Sequence, residues 1–483
     1  MEYITYEMFG AKGDGVQDDM PCIAAAHAAA NKQNLPVRAK EGAVYYLSPA
    51  ACTAVIETST DWTGATFIMD DVGCEDHQKP LFLVSSRQAS FPFALSSLKA
   101  GQACIPNPTG QELYLEFFNH HHKDYIRRGL NQSPGESRRD NALLHADGSL
   151  SSPISFDFEE VSACTATPID EVTLTLTGGT FITIANQAES KYNYHMRNIV
   201  IRRSRVDVGH IQHYVYGEGE HGAPYRGFLS VRSCAYVQIH DCLFTGHKTY
   251  WTIGSADLPV PMGSYDIGLN AAIRVKIAHC RQTNDIMDKT YWGLIGTNFC
   301  RELTLEDCAF SRFDAHCGVT NCTLRRCRLG HQCLNAIGFG TFLVEDTEAC
   351  GNAFVTLRED YGCTWQGDFI LRNCTWRPLG KGRSIFHAHN DGTHHFGYAC
   401  ALPHRVVIDG LTIIENDAAA PDTPLSVFNN YPGADAPSPE NQQFPLQEPH
   451  SVHVRHVKTQ RNIQLCENPQ LMQGTEFYLN LSL

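Results

Sequence analysis

Residues 303–308 read Leu-Thr-Leu-Glu-Asp-Cys, and residues 322–327 read Cys-Thr-Leu-Arg-Arg-Cys. In both stretches the first and third residues are apolar, the fourth and fifth are charged, and the sixth is cysteine. Apolar residues at every second position are typical of a β-strand with one buried face. Units with this apolar pattern begin at Leu174, Ile199, Val237, Val275, Leu303, Cys322, Phe342, Phe369, Val406 and Val452.

The spacing of these units indicates a repeat architecture. Successive units begin 19 to 46 residues apart, which fits a coil of about 20 residues lengthened by loops. Such repeats predict an all-β solenoid of stacked parallel strands. We expect a single domain over residues 1–483, with an N-terminal cap at 1–50, an inserted excursion at about 113–160, core rungs at 174–460 and a C-terminal end at 461–483.

The sixth position of the unit is cysteine in five repeats: Cys242, Cys280, Cys308, Cys327 and Cys374. Like residues on stacked strands form a column, so we interpret these cysteines as a buried ladder of small apolar side chains. Metal binding is the alternative, but a linear ladder does not supply tetrahedrally arranged ligands.

Composition limits the partners. The net charge is -14 and the chain has no basic block, so nucleic acid is a poor candidate. An acidic surface suits a neutral or cationic sugar, whereas a uronic-acid polymer needs a local basic patch. We expect no membrane segment, because no apolar run approaches about 18 residues. Residues 1–7 do not resemble a signal peptide. We therefore predict a cytoplasmic location, or secretion if a signal peptide has been trimmed.

The N-terminal region predicts a turn, a helix and a strand. Glycines at 10, 13 and 15 favour a turn. Phosphate binding is the less favoured alternative, because no Lys-Ser/Thr pair follows. Asp18 or Asp19 is a suitable N-cap, Pro21 fits the first helical turn, and residues 24–30 form an alanine-rich body. Residues 43–47 then read as a strand.

Three segments interrupt the repeat. Within the excursion, residues 120–122 are three adjacent histidines, which we interpret as part of a solvated loop rather than a metal site. Residues 416–449 are rich in proline, alanine and aspartate and predict a long surface loop. Residues 245–270 contain Tyr250, Trp251 and Tyr265, whose rings are suited to stacking on sugars along a cleft.

A second column lies 13 residues after the unit starts. It contains Tyr250, Asp288, His316, Asn335 and Val355, of which the first four are polar. Because stacked strands lie about 4.8 Å apart, Asp288 and His316 are predicted side by side on one wall. A carboxylate next to an imidazole raises the basicity of the imidazole and supports proton transfer. The alternative is a polar ladder that only covers the surface. The site is favoured by further polar neighbours: Asp285, Lys289, Asp314 and His331.

Residues 9–19, Phe-Gly-Ala-Lys-Gly-Asp-Gly-Val-Gln-Asp-Asp, followed by the helix and the Val-Tyr-Tyr-Leu strand, resemble the opening of pectate-lyase-like right-handed parallel β-helix proteins. That superfamily includes polygalacturonases and phage tailspike depolymerases. The resemblance implies a right-handed parallel β-helix with an N-terminal capping helix. It does not by itself imply one activity, since many functions share this fold.

Residues 284–288, Asn-Asp-Ile-Met-Asp, are similar to the polygalacturonase motif N-T-D-x-x-D, with Asp285 and Asp288 in phase. Residues 330–332, Gly-His-Gln, resemble its G-H-G motif, and residues 358–360, Arg-Glu-Asp, lie where its R-x-K motif falls. The family's aspartate pair is replaced by Ala315-His316, which departs from the pattern.

Residues 313–316, Phe-Asp-Ala-His, resemble the F-D-P-H segment of β-helix mannuronan C5-epimerases. That resemblance implies a histidine and a tyrosine in proton abstraction. Ala315 replaces the proline, and Ser311 occupies the expected tyrosine position. Tyr250 and Tyr291 are then candidates for the missing tyrosine.

Three functions follow. The first is a glycoside hydrolase, with Asp285, Asp288 and Asp314 as acid and base candidates and His316 beside them. The second is a polysaccharide lyase or uronate C5-epimerase, with His316 or Tyr291 as base and Lys289 or Arg358 neutralising the sugar carboxylate. The third is a non-catalytic, tailspike-like glycan-binding protein. The substrate-binding candidates are Tyr250, Trp251, Lys289, Tyr291, His331, Asn335, Arg358, Glu359 and Asp360.

The predicted partner is a polysaccharide or oligosaccharide. We expect no cofactor and no metal. Solenoids of this kind occur as monomers and trimers, so a homo-oligomer is compatible with the sequence.

Overall fold

The computed structural model describes residues 2–190, 194–220, 222–248, 250–389, 395–416, 423–429, 446–468 and 472–481. Parallel strands dominate it, and they stack in register into three long sheets, here called A, B and C in the order in which each coil visits them. The polypeptide is a right-handed parallel β-helix, as predicted.

The strands that belong to one sheet only are as follows. Sheet A contains Val37–Arg38, Thr60–Asp61, Leu174–Thr177, Val206–Gly209, Ala235–His240, Ile273–Ala278, Gly338–Glu345, Trp365–Arg372, Arg405–Asp409, Ser451–Arg455 and Glu476–Asn480. Sheet B contains Asp14–Asp18, Val44–Leu47, Thr66–Asp70, Thr180–Ile184, Gln212–Tyr216, Leu243–Phe244, Arg281–Gln282, Glu348–Ala349, Thr375–Trp376 and Thr412–Ile413. Sheet C contains Ala54–Ile56, Phe82–Ser85, Ile199–Arg202, Arg226–Arg232, Tyr265–Asn270, Val355–Leu357, Ser384–His387, Leu425–Phe428 and Ile463–Cys466.

Three longer strands bend from one sheet into the next. Leu294–Glu306 runs from sheet C to sheet A, Ala309–Arg325 passes through B, C and A, and Arg328–Ala336 runs from B to C. The parallel rungs therefore extend on both sides of the predicted core of residues 174–460.

The register of sheet A confirms the repeat from Val237 onward. Val237 pairs with Val275, Leu303 with Cys322, Cys322 with Phe342, and Phe369 with Val406. The predicted unit at Ile199 is wrong, because Ile199 pairs with Phe82 and Leu229 in sheet C. The true neighbour of Leu174 in sheet A is Val206. An apolar-x-apolar pattern occurs on all three sheets, so the pattern alone does not identify the sheet.

The fifth residue of the unit forms the corner between sheets A and B. Asp241, Asp307, Arg326 and Asn373 occupy this corner with φ of 52° each. Non-glycine residues adopt this left-handed conformation at a cost, and Asn and Asp tolerate it best. The polar residues of the repeat therefore mark the place where each coil turns.

The cysteine ladder is confirmed. All five predicted members, Cys242, Cys280, Cys308, Cys327 and Cys374, are buried in the single core that runs through the solenoid. Thr347, also buried, occupies the rung between Cys327 and Cys374. All 19 cysteines of the chain are free thiols.

The N-terminal helix covers Met20–Gln33, with Pro21 in its first turn and Asp19 at the N-cap position. The Asp19 carboxylate does not cap the helix; it accepts backbone N–H bonds from Lys12 and Gly13 at 2.7 and 3.0 Å. The part of the glycine-rich stretch through Gly13 is thus a turn held by Asp19, whereas Gly15 belongs to the strand Asp14–Asp18, where the predicted turn is wrong. Short 3-10 helices cover Tyr6–Phe9, Gly129–Asn131 and Glu359–Tyr361. Within the described residues, no helix is both long and apolar enough to cross a membrane.

Between sheets C and A the chain leaves the solenoid and builds an antiparallel sheet from Phe91–Pro92, Leu113–Asp124, Glu136–Leu144 and Ala163–Pro168. This excursion has a small apolar core of its own. A buried ion pair between Arg301 and Asp140, at 2.7 Å, joins it to the solenoid. The histidines at 120–122 lie in the strand Leu113–Asp124, not in a loop, so that prediction is wrong.

Two further segments that were predicted to interrupt the repeat contain regular structure. Tyr250–Ile253 and Pro259–Met262 form a separate antiparallel hairpin. The predicted loop at 416–449 contains the buried sheet C strand Leu425–Phe428. The parts of that prediction at 417–422 and 430–445 lie outside the described residues.

Candidate active site

Two adjoining cavities open on the outer face of sheet C. The smaller has a volume of about 130 Å³ and the larger about 470 Å³. Four residues line both cavities: Arg127, Tyr194, Tyr265 and His316. The two cavities therefore form one continuous depression, here called the sheet C cleft.

The floor of the cleft follows one column of the sheet. Ser230 pairs with Gly268, Gly268 with Gly296, and Gly296 with Asp314. A Cβ atom on Gly296 would lie 2.2 Å from the ring of Tyr265, and one on Gly268 would lie 2.5 Å from the carbonyl oxygen of Arg226. These positions require glycine, and the floor is flat as a result.

Asp314 lies at the end of this floor and is only 2% exposed. Its carboxylate is held by two guanidinium groups, Arg312 at 3.2 Å and Arg358 at 3.3 Å. A buried carboxylate is stable when it is paired in this way. Asp314 therefore positions two arginines at the end of the floor.

His316 follows two residues later and lines both cavities. Its Nδ1 lies 3.0 Å from the amide oxygen of Asn298. The Cys317 Sγ also lies 3.3 Å from this nitrogen, and the thiol donates its own hydrogen to the Tyr361 hydroxyl. An amide oxygen only accepts, so Nδ1–H donates and Nε2 carries the lone pair. Nε2 has no hydrogen-bond partner among the described residues. Burial, and next the positive charge of Arg358, lower the pKa of His316 to about 4. The imidazole is neutral at neutral pH and presents a basic nitrogen to the cleft.

Asp360 completes the small cavity from the short helix Glu359–Tyr361. It is paired with Arg358 at 2.8 Å and with Arg127, from the excursion, at 3.1 Å. Burial raises the pKa of Asp360, but the positive charges of Arg358 and Arg127 outweigh this effect, and the pKa falls to about 2. Three arginines, at 127, 312 and 358, thus face the two carboxylates of Asp314 and Asp360 and leave one excess positive charge.

Two hydrogen-bond donors near Asp314 have no acceptor among the described residues. They are Nε of Arg312 and Nε1 of Trp292, both buried and both on residues that line the small cavity. The Arg312 guanidinium lies over the Trp292 ring at 5.2 Å. Buried donors without acceptors are costly, so this corner suits an anionic or oxygen-rich ligand.

The structure brings four of the predicted site residues together: Asp314, His316, Arg358 and Asp360. Asn335 pairs with Asp314 on the next rung, and its amide donates to the carbonyl oxygen of Gln332. Glu359 is exposed beside Asp360. Tyr250 and Trp251 lie in the hairpin, where Trp251 is 71% exposed.

The predicted column of Asp288, His316 and Asn335 is wrong in register. Asn335 pairs with Asp314, whereas His316 lies at a bulge and contacts Asn298. Asp288 belongs to the loop of residues 283–293, outside the paired strands. A fixed offset fails because the loops between sheets B and C differ in length from coil to coil.

The loop of residues 283–293 contains the other predicted residues. Asp285 and Asp288 are exposed, and each accepts a backbone N–H two residues later, from Met287 at 2.9 Å and from Thr290 at 2.8 Å. Neither aspartate is among the described residues that line the cleft.

Three more predicted residues lie in or against this loop. Lys289 is exposed. His331 Nε2 donates to the carbonyl oxygen of Tyr291 at 2.9 Å. These contacts fix the loop against the strand Arg328–Ala336.

Sequence reasoning missed most of the cleft's basic residues. Arg127 comes from the excursion, Arg226 and Arg232 from a sheet C strand, and Arg312 from the residue before Phe313. Arg312 could have been predicted from the sequence, because it directly precedes the Phe-Asp-Ala-His segment. Arg127 belongs to a segment without the repeat, and the sheet C strand Arg226–Arg232 was not among the predicted units.

Outside the cleft, the described residues contain one group with metal-ligand geometry. Ligand atoms of His210, His240 and Asp241 lie within 4.8 Å of one another. Both ring nitrogens of His240 are already engaged, by Asp241 at 2.8 Å and by Asp207 at 3.3 Å. The candidate site is empty and lies at the corner between sheets A and B, away from the cleft.

Comparison with solved structures identifies the class of fold. The chain is similar over 98% of its length to the Gp54 tailspike of Acinetobacter baumannii bacteriophage AP22, solved in complex with A. baumannii capsular saccharide, with 11% identity, a TM-score of 0.54 and 79% of that chain covered. It is similar over 98% to the tailspike gp49 of Pseudomonas phage LKA1, with 12% identity, a TM-score of 0.54 and 84% of that chain covered. It is similar over 95% to the tailspike gp61 of Pseudomonas phage phi297, with 11% identity, a TM-score of 0.51 and 81% of that chain covered.

At such identities the likeness concerns the fold: the chain shares the parallel β-helix of these phage tailspikes. No protein-family model and no curated protein matches the sequence.

Proposed function

We propose that the protein is a carbohydrate-active enzyme that removes the proton next to the carboxylate of an acidic sugar, with His316 Nε2 as the base. The reaction is that of a polysaccharide lyase or a uronate C5-epimerase. The observation that carries this proposal is the pairing of a neutral imidazole, open at Nε2, with an excess of guanidinium groups in the same cavity. The saccharide complex of the Gp54 tailspike supports a sugar ligand for this fold.

The chemistry follows from the charges. A C–H next to a carboxylate is weakly acidic until the negative charge of that carboxylate is neutralised. The excess positive charge of Arg127, Arg312 and Arg358 and the unpartnered donors supply that neutralisation. The C5–H bond then breaks, and its proton moves to His316 Nε2.

The two reactions differ in what happens next. In a lyase, the C5 electron pair forms a C4=C5 double bond, the C4–O4 bond breaks, and O4 takes a proton as it leaves. In an epimerase, C5 takes a proton back on its opposite face. Tyr194 and Tyr265 line both cavities with His316, and their hydroxyl groups are the candidate proton donors.

Hydrolysis by Asp285, Asp288 and Asp314 is less well supported. A glycosidase needs one carboxylic acid that is protonated at working pH. Asp314 is held between two arginines, and the pKa of Asp360 is lowered to about 2. Asp285 and Asp288 are exposed turn residues, and the pKa of Asp288 is lowered by hydrogen bonds from Thr290.

The test is a panel of uronate-containing polysaccharides, assayed for the ultraviolet absorbance of unsaturated products and, by NMR, for changes at C5. His316→Gln is expected to lower the rate by about 10²-fold or more. The matched control is His279→Gln, at an exposed histidine on another face. New reducing ends without unsaturated product favour hydrolysis. Binding without any product favours the non-catalytic alternative.

A further inference from the structure

The larger cavity holds a second cationic centre, on the strand Arg226–Arg232. The register from Ser230 through Gly268 and Gly296 to Asp314 places this strand three rungs from the strand of His316. Rungs are about 4.8 Å apart, so the separation is roughly 14 Å. This distance spans two to three sugar units of an extended chain, at about 5 Å per unit.

Neither arginine of this centre has a carboxylate partner among the described residues. Arg232 Nε donates to Ser230 Oγ at 3.0 Å, and Arg226 lies over the ring of Tyr194 at 5.7 Å. The other arginines of the cavity are paired, Arg127 with Asp360 and Arg139 with Glu116. Arg226 and Arg232 are therefore the guanidinium groups of this cavity whose charge a ligand can neutralise.

Without a ligand, the positive charge of Arg232 lies in unfavourable surroundings. Both arginines are half-buried. Burial lowers the pKa of Arg232 to about 10, helped by the like charges of Arg226 and Arg202. Glu136 is the only acid among the described lining residues, against four arginines. An anion placed between Arg226 and Arg232 relieves this repulsion.

The shape of the cavity fits a sugar ring next to that anion. The floor between the two centres is formed by Gly268 and Gly296, which have no room for a side chain. The ring of Tyr265 stands beside Gly296 and offers an aromatic face or edge. A planar guanidinium pairs best with a carboxylate, through two parallel hydrogen bonds.

We infer that Arg226 and Arg232 form a second subsite, which binds the carboxylate of a sugar two to three units away from the sugar at His316. This inference rests on the proposed function and specifies its substrate: a saccharide chain that carries carboxylates at more than one unit. Such a chain lies along the solenoid axis. The local basic cleft also explains how a protein of net charge -14 binds a polyanion.

The experiment measures binding, and a His316→Gln variant is included so that binding is also measured with turnover strongly reduced. Wild-type protein and a His316→Gln variant are titrated by calorimetry with uronate oligosaccharides of two to six units and with the same oligosaccharides after reduction of their carboxyl groups. Sulfated dextran tests whether any anion suffices. We expect preference for carboxylated chains, a gain in affinity of about tenfold once the chain is long enough to reach the second subsite, and weakening with salt.

Arg226→Met and Arg232→Met are expected to remove that gain, each by about tenfold, and Arg232→Lys to restore part of it. Arg281→Met, an exposed arginine of sheet B, is the control with the same change in net charge. Equal binding of reduced and carboxylated chains, tighter binding of sulfated dextran, no binding across the panel, or unchanged binding by both methionine variants would overturn the inference.

The outcomes separate this inference from the proposed function. Selective binding that depends on Arg232, without turnover by the wild type, leaves the subsite standing and removes the proton-abstraction mechanism. Turnover that depends on His316, with no effect of Arg226→Met or Arg232→Met, leaves the mechanism standing and removes the subsite.

Discussion

His316 is held in one tautomer by its neighbour. Asn298 accepts from Nδ1, the ring of Tyr361 packs edge-on at 5.5 Å, and Nε2 is left as the basic nitrogen. Burial and the charge of Arg358 lower the pKa of His316, so the imidazole stays unprotonated well into the acidic range. The proposed mechanism needs such an unprotonated imidazole beside a substrate carboxylate that remains ionised.

The lowered pKa predicts the pH profile. In the proposed mechanism, protonation of Nε2 abolishes the base, so we expect activity to fall as the pH decreases through about 4, not through the ordinary histidine value of 6.5. The measurement is kcat/KM against pH on an acidic polysaccharide, with protein stability checked at each pH. An acidic limb centred near 6.5 would show that His316 is not the base or is not buried in the working enzyme.

Asp266 has a different environment. It is buried, and neither carboxylate oxygen has a hydrogen-bond partner among the described residues. Burial raises its pKa from 3.8 to about 7. The folded state therefore binds a proton between these values that the unfolded state releases, and stability decreases as the pH rises from 3.8 to about 7.

Asp266→Asn removes this pH-dependent loss. We expect the variant to gain melting temperature relative to wild type at pH 8 and to gain little or nothing at pH 4, because the wild-type carboxyl is already protonated there. Thermal unfolding at the two pH values measures the difference. An equal change in melting temperature at both pH values would contradict this prediction and attribute the effect to packing, not to ionisation of Asp266.

At the scale of the elements, the strand register could be predicted from the sequence where the same residue type recurs at one position of the unit. It could not be predicted where a loop of variable length lies between the strands. The sheet A register from Val237 to Val452 and the cysteine ladder follow from alternation of apolar residues, since each position must face the same core. The unit at Ile199 failed because sheet C carries the same pattern.

The site was harder to predict than the rungs. Asp314 and His316 were found because they belong to the Phe-Asp-Ala-His segment, which lies within one strand. Asp288 was misplaced because it lies in the loop of residues 283–293, so a fixed offset of 13 residues from the unit start does not reach the same position of sheet C. Arg127 comes from the excursion and has no periodic relation to the solenoid, so only the docked structure places it beside Asp360.

The ladder makes a stability prediction. Cys308→Ala removes a buried sulfur that contacts the neighbouring rungs, and we expect a loss on the order of 1 kcal/mol in the free energy of unfolding. Cys104→Ala, at an exposed cysteine, is the control and should leave stability unchanged. Denaturant unfolding of both variants measures this. Equal stability of the two would contradict an interior ladder at Cys308.

At the scale of the whole molecule, the regular stacking of the solenoid fixes the distances between groups on its surface. Its rungs set the separation of the two cationic centres, its glycines keep the floor between them flat, and the excursion adds a wall with Arg127. The buried pair of Arg301 and Asp140 fixes that wall to sheet A. In the inference above, a polymer along the axis therefore meets two groups of positive charges at a separation that the rungs fix.

The most direct test follows the proton at C5 of the sugar. Wild-type protein and His316→Gln are incubated in D₂O with the uronate polysaccharide that the wild type processes best, and the products are analysed by NMR and mass spectrometry. We predict that wild-type products have lost the original C5 proton, either to a C4=C5 double bond or to deuterium, and that His316→Gln slows this loss by about 10²-fold or more. Cleaved products that retain the C5 proton, or an undiminished loss in the variant, would contradict the account.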